Sequence, residues 1–326
     1  PRRATFRFRL YRHAAAWPFG ASESTGFRAA ARRYYDMHPG VFARRTPPGG
    51  EGIWLAFTDL STIEGLADFG VAYHEGGVGN VPFDDSVNVA TFRYVTEPWA
   101  SHIAILDPTV DNTNYDQVMA YVRNLYEHGT GSDQRLAEVT LSSGSFDDAG
   151  RYRYYPESAA WCNNGGSCAT FILDADPDVD VPPYTLNKAD SDWNATVWGV
   201  YDTVPTLDGE YVDGVDCQTT TPNFRREHFA AADLPLTFDY GTGLLQVPEV
   251  FSVYEFMTWL TGDVHGRGKL TMSNGMLLGM PWAIDLFDFG GSEVYWYTSG
   301  NFAPPDDWWL TYQRTLSYRK PFGTLL

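Results

Sequence analysis

Lysine is nearly missing from this chain: of 23 basic residues only 3 are Lys and 20 are Arg, against 28 Asp and 13 Glu. The resulting net charge of −18 and pI near 4.6 leave no basic footprint for phosphates, which excludes a nucleic-acid partner. No uncharged apolar run reaches about 18 residues, so no membrane span is expected. Three cysteines, without a Cys-x-x-Cys pair or a His-x-x-x-His spacing, give no basis for a structural zinc, and no metal or other cofactor is expected. Nothing repeats with a period of about 20–50 residues, which argues against a solenoid or propeller.

What is present fits a globular protein with one large core. The chain has 326 residues, 44% of them hydrophobic, at a mean hydropathy of −0.30. An Asp-rich, Lys-poor surface suits high salt, where screening makes like charge tolerable, and it suits an ordinary acidic secreted enzyme equally well. Cys162 and Cys168 flank Asn-Asn-Gly-Gly-Ser and either close a small disulfide or stay free, with Cys217 unpaired in both cases. One sequon, Asn194-Ala-Thr196, leans towards an extracellular or cell-surface chain, with the cytoplasm as the alternative. The chain opens without an initiator Met and closes on what reads as half a strand, so a fragment of a longer polypeptide is expected.

Residues 4–12 alternate apolar and basic side chains and predict a half-buried strand. Residues 27–42 predict a helix with an aromatic face, closed by Pro39, and Thr-Pro-Pro-Gly-Gly at 46–50 is a linker. Residues 1–46 are therefore expected to be the tail of a preceding β-domain plus a linking helix. From 47 to 326 the pattern changes to short continuous apolar runs at 52–57, 69–74, 89–95, 207–213, 269–274, 283–288 and 321–326. Helical segments at 115–128, 251–265 and 306–319 lie between several of them, and an insertion is expected at about 136–206. Strand–helix–strand spacing predicts a parallel α/β architecture. No Gly-rich phosphate turn follows the first strand, which favours a (β/α)₈ TIM barrel over a doubly wound sheet, incomplete at its C-terminus because seven strands are visible. The acidic run at 174–180 reads as a solvated loop rather than a Ca²⁺ site, since it lacks the glycine and closing Glu of such loops.

In such a barrel the strands' C-terminal ends form the active face. Asp213 ends the fourth run, on one face with Tyr211, and Asp216 is its local competitor. In the sixth run Asp288 and Glu293 are alternatives for a second carboxylate, with Glu293 favoured because a mouth loop closed by Trp282, Tyr295 or Trp296 would raise its pKa. Two carboxylates across a mouth are the equipment of glycoside hydrolysis. Asp59, His74, Glu75, Arg93, Glu97 and Asn274 fall at or near other strand ends, and Arg226 and His228 in a polar loop after the fourth strand, as expected substrate-binding groups. An aromatic share of 16% suits stacking on sugar faces, though Trp54 and Phe57 read as barrel filling.

The segments Gly-Ile-Trp-Leu-Ala-Phe-Thr-Asp (52–59), Ala-Asp-Phe-Gly-Val-Ala-Tyr-His-Glu (67–75), Gly-Glu-Tyr-Val-Asp (209–213), Asn-Phe-Arg-Arg-Glu-His (223–228) and Met-Ser-Asn-Gly (272–275) resemble a poorly characterised microbial glycoside-hydrolase-like barrel family. More distantly the plan resembles the α-galactosidase and α-glucosidase superfamily. That resemblance implies a retaining mechanism on an α-linked saccharide, with a nucleophile ending the fourth strand (Asp213) and an acid/base ending the sixth (Glu293 or Asp288). The sequence reads Tyr-Val-Asp-Gly where the superfamily leads one to expect Tyr-Leu-Asp-Ser. The competing expectation is a catalytically retired barrel that binds glycans or packs as a surface or filament protein, with room for a homo-oligomer.

Overall fold

The computed structural model describes residues 27–46 and 51–325, except 160–161, 163–164, 219, 276–280, 294–296, 299–300 and 303–305. The expected strand at 4–12 lies outside the described residues. Numbered along the chain, the barrel strands are β1 (Ile53–Ala56), β2 (Val71–Gly76), β3 (Ala90–Val95), β7 (Gly209–Val212), β8 (Leu270–Asn274), β9 (Phe289–Glu293) and β10 (Phe322–Leu325). They pair in that order, every neighbour parallel, and β10 comes back beside β1, so the seven-stranded sheet is nearly closed into a barrel. The fold is an incomplete α/β TIM barrel.

Side chains alternate across a strand, so each contributes one set inward and one outward. Trp54, Tyr73, Phe92, Tyr211, Met272 and Phe289, one from each of six strands, fill the interior and are almost wholly buried. At roughly 1.5–3 kcal/mol for each such side chain, this plug is a principal stabiliser of the barrel. The outward set, including Val95 and Val212, joins the core beneath α5 (Glu249–Gly266), whose Val253, Phe256, Met257, Leu260 and Val264 face the sheet. Pro248 precedes α5 at its N-cap and Gly268, at φ 71°, turns the chain back towards β8. The helix α1 (Phe27–Met37) ends before Pro39 and packs Tyr35 flat on Tyr318, with rings 3.8 Å apart.

Two expectations are corrected here. The run 283–288 is not the sixth strand. It lies in a 3-10 turn (Pro281–Leu286) that precedes the strand, and Gly290-Gly291-Ser292, which reads as a turn, is the strand itself. The reason is packing: a Cβ on Gly291 would stand 2.5 Å from the Ser273 carbonyl and 2.8 Å from the Trp54 ring, so glycine makes space for the neighbouring strand and the interior plug. The insertion is also larger than expected. It begins straight after β3 and carries its own antiparallel sheet, β4 (Ala100–Ala104), β6 (Cys168–Ile172) and β5 (Tyr154–Glu157), under helices α3 (Tyr115–His128) and α4 (Gly131–Ser143). Its core of Ile103, Val118, Met119, Val122, Leu141 and Phe171 is distinct from the barrel's. The helix at 115–128 thus belongs to the insertion rather than to the barrel's outer ring.

The cysteine alternatives resolve as a Cys162–Cys168 disulfide and a free Cys217. The acidic run is only partly solvated. Asp178 and Asp180 are exposed, whereas Asp174 and Asp176 are buried.

Candidate active site

The mouth of the barrel follows from strand parity. Two residues beyond Tyr73, Phe92, Tyr211 and Met272, on the same inward face, stand Glu75, Tyr94, Asp213 and Asn274. Glu293 closes β9, four residues beyond Phe289. The apolar plug is therefore capped by one polar layer at the strands' C-terminal ends.

Asn274 ties this layer together. Its side-chain nitrogen donates to Asp213 Oδ1 at 2.8 Å and to Glu293 Oε1 at 2.9 Å. Those bonds laid end to end cap the distance between the two oxygens at about 5.7 Å, near the roughly 5–5.5 Å of retaining carboxylate pairs. Asp213 also accepts from the Tyr94 hydroxyl at 2.8 Å and from the Tyr211 hydroxyl at 3.3 Å. Three donors converge on this one carboxyl and fix its orientation. Burial and the Asp213 charge push both phenols far above the ordinary tyrosine range, and Glu97 adds to the effect on Tyr94, so both stay protonated as donors.

Glu75 behaves differently from its neighbours. It is 5% exposed, its Oε2 has no hydrogen-bond partner, and burial followed by the charges of Asp213 and Glu293 pushes its carboxyl up to about 8. Three carboxyls in one low-dielectric mouth cannot all ionise cheaply, and the most buried holds the proton. Beside it opens a cleft of about 440 Å³ lined by Phe57, Asp59, Glu75, Asn80 and Tyr94 among others. Phe57 is 79% exposed and sits at φ 59°, a left-handed conformation that a bulky side chain adopts only under constraint. It is not barrel filling. Asp59 caps the turn after β1 through Ser61, whose hydroxyl and N–H hold its carboxyl below the usual range.

Glu97 and Asp216 complete the rim. Burial pushes Glu97 up, but His102, its own backbone N–H and Lys188 outweigh that and keep it low. Asp216 is pushed up by burial and by Asp213. Gly214 follows Asp213 at φ 55°, and a Cβ there would press on Glu97 at 2.7 Å; glycine serves the turn and this packing.

The structure separates several of the expected site residues from this mouth. Asp288 precedes β9 at the opposite, N-terminal end of the barrel. It is held by His265 at 2.7 Å, Arg45 at 3.0 Å and the Thr271 N–H at 2.9 Å, which is a structural ion-pair cluster. Arg93 has outward parity: it grips the fully buried Glu210 through a two-pronged bond and donates to the Val197 carbonyl at 2.8 Å. His74 is likewise turned from the interior and bonds Asp84 at 2.6 Å, reaching the cleft only at its edge. His228 is buried against Asn223, Asp174 and the Ser142 carbonyl, tying the loop to the insertion rather than facing a substrate. Arg226 is exposed beside a separate surface cleft with Phe146 and Phe229. The side chain of Trp282 and all of Tyr295 and Trp296 fall outside the described residues. Tyr94 is the residue sequence reasoning passed over: counting by two from Phe92 would have selected it in place of Arg93.

Among the described residues, no group of three His, Cys, Asp or Glu is placed to hold a metal ion, and no helix is long and apolar enough to cross a membrane. No protein-family model matches the chain, and no curated protein does. Among solved structures, one that resembles it is a noncanonic maltogenic alpha-amylase from Thermotoga neapolitana, 12% identical over 82% of this chain, with a TM-score of 0.28. This chain spans 44% of that protein's length, and the functional reading rests on the mouth's own geometry.

Proposed function

We propose that the chain is a glycoside hydrolase that works by a two-carboxylate retaining mechanism, with Asp213 as nucleophile and Glu293 as acid/base. The observation that carries this reading is the Asn274 nitrogen shared between the two carboxyls at 2.8 and 2.9 Å. It holds them close enough for one to attack the anomeric carbon while the other serves the departing oxygen. Asp213, fixed by three donors, is the positioned nucleophile; Glu293, exposed at the strand end, can reach both leaving group and water. The resemblance noted above supports an α-linked saccharide as the substrate. The Cys162–Cys168 disulfide supports an extracellular or cell-surface setting.

A screen of aryl α-glycosides tests the proposal, with Asp213→Asn as the control. Hydrolysis that disappears in the variant, with retention of anomeric configuration, supports it. Saccharide binding of equal strength in both proteins without turnover would favour a retired, glycan-binding barrel.

A further inference from the structure

We infer that the sugar recognised at this mouth carries a free amino group, whose ammonium sits against Glu75 between the Phe57 and Tyr94 rings; this rests on the glycoside reading above. Three observations converge on it. The first is Glu75 itself, a carboxyl 5% exposed that lines the 440 Å³ cleft with one oxygen left without a partner. A buried acceptor on a side chain that lines a cleft is unsatisfied until a donor reaches it, and an ammonium offers three N–H groups. The second is the wall: Phe57, 79% exposed and held at φ 59°, and Tyr94, 40% exposed, present aromatic surface to the same cleft. Aromatic faces beside a carboxylate are the surroundings that recognise organic ammonium ions.

The third is the field. Asp213 and Glu293 act on Glu75 and Asp59 lines the same cleft, while Lys188 and His102 are engaged with Glu97. His74 at the cleft's edge is committed to Asp84. An anionic sugar, such as a uronate, would meet repulsion here. A neutral sugar could accept a bond from protonated Glu75 but would leave the surrounding charge uncompensated. A metal ion lacks its ligands, since no three such side chains among the described residues converge. An ammonium satisfies Glu75 and the field together.

Linkage supplies a signature. Glu75 holds its proton up to about pH 8 in the free protein, so an ammonium that ionises it must expel that proton on binding. The test is calorimetric titration of the chain at pH 6.5 with methyl α-glycosides of glucosamine, galactosamine and mannosamine, each beside its 2-hydroxy and 2-acetamido counterpart. The amino form of at least one configuration should bind about tenfold tighter or better than both counterparts. In buffers of different ionisation enthalpy its heat should report release of close to one proton. Glu75→Gln should abolish both the preference and the release. Binding of the hydroxy form as tightly as the amino form, or an amino preference without proton release, overturns the inference and leaves the glycosidase reading standing. Failure to bind or hydrolyse any glycoside overturns both.

Discussion

Replacing Arg93 with Met separates a wall role from a sugar-binding one. Glu210 is fully buried and accepts from Arg93 Nε at 3.0 Å, from a second guanidinium nitrogen and from the Tyr201 hydroxyl at 2.7 Å. Removing the guanidinium strands that carboxyl, and breaking a buried pair in this way costs roughly 3–5 kcal/mol. At about 2–4 °C per kcal/mol the melting temperature should fall by about 10 °C. The deficit should depend on pH. Burial raises the Glu210 carboxyl even against the pull of Arg93 and Tyr201, so its native value lies above the unfolded one. The native state then binds the proton more tightly, and stability is lost as pH climbs above about 4.3, where the unfolded carboxyl ionises. Without Arg93 that loss steepens, so the variant should approach the parent near pH 4 and fall behind at pH 7. The double variant Arg93→Met, Glu210→Leu should recover most of the loss, because an apolar pair replaces the ionic one. Urea midpoints at both pH values provide the measurement. A cost under about 1 kcal/mol, independent of pH and accompanied by weakened saccharide binding, would refute the placement of Arg93 in the wall.

The mouth supports further expectations. Asp213→Asn should lower kcat by roughly a thousandfold or more while leaving the circular dichroism spectrum unchanged. Asn274→Ala removes the shared donor and should cost about one to three decades in kcat/KM, read on an activated aryl glycoside. The Glu75 carboxyl has a native value of about 8, above its unfolded one, so its contribution to stability is lost as pH rises towards 8. Glu75→Gln should therefore match the parent near pH 4 and exceed it by about 1–3 kcal/mol at pH 8 in urea denaturation; a variant less stable at pH 8 would contradict that sign. Phe57→Gly relieves a φ of 59° and should gain about 1 kcal/mol of stability while weakening saccharide binding, which thermal melts with and without ligand can separate.

The sequence made the barrel legible wherever a strand buries both faces. The continuous runs at 207–213 and 269–274 carry that signature, and Asp213 and Asn274 follow from where they stop, as Glu75 follows the run at 69–74. The sixth strand escaped because its most apolar stretch, 283–288, folds as a turn into the core below the barrel, while Phe-Gly-Gly-Ser-Glu takes the strand position. Composition alone cannot show that Gly291 answers the bulk of Trp54, a neighbour 237 positions earlier in the chain. Site residues were confused for a simpler reason. His74 and Glu75, or Arg93 and Tyr94, are adjacent in sequence yet point to opposite sides, and only one of each pair can face the mouth. Charge drew attention to Arg93; parity selects Tyr94. Arg226 and His228 were unreadable because their partners lie in the insertion, whose extent depends on long-range pairing.

That insertion has a consequence for how the barrel comes together. β3 and β7 lie side by side, yet residues 96–208 separate them in the chain. Closing a floppy loop of that length would cost about 4 kcal/mol in chain entropy, roughly 2 kcal/mol more than a connection of a dozen residues. A segment with its own sheet and core need not meet that cost at the seam, because its folding first brings its two ends near each other. The order of events then reverses the usual picture of a decoration hung on a finished barrel. The insertion would act as the template on which the third and fourth barrel strands meet, and a destabilised insertion would show itself as slow closure of the barrel rather than as a missing surface.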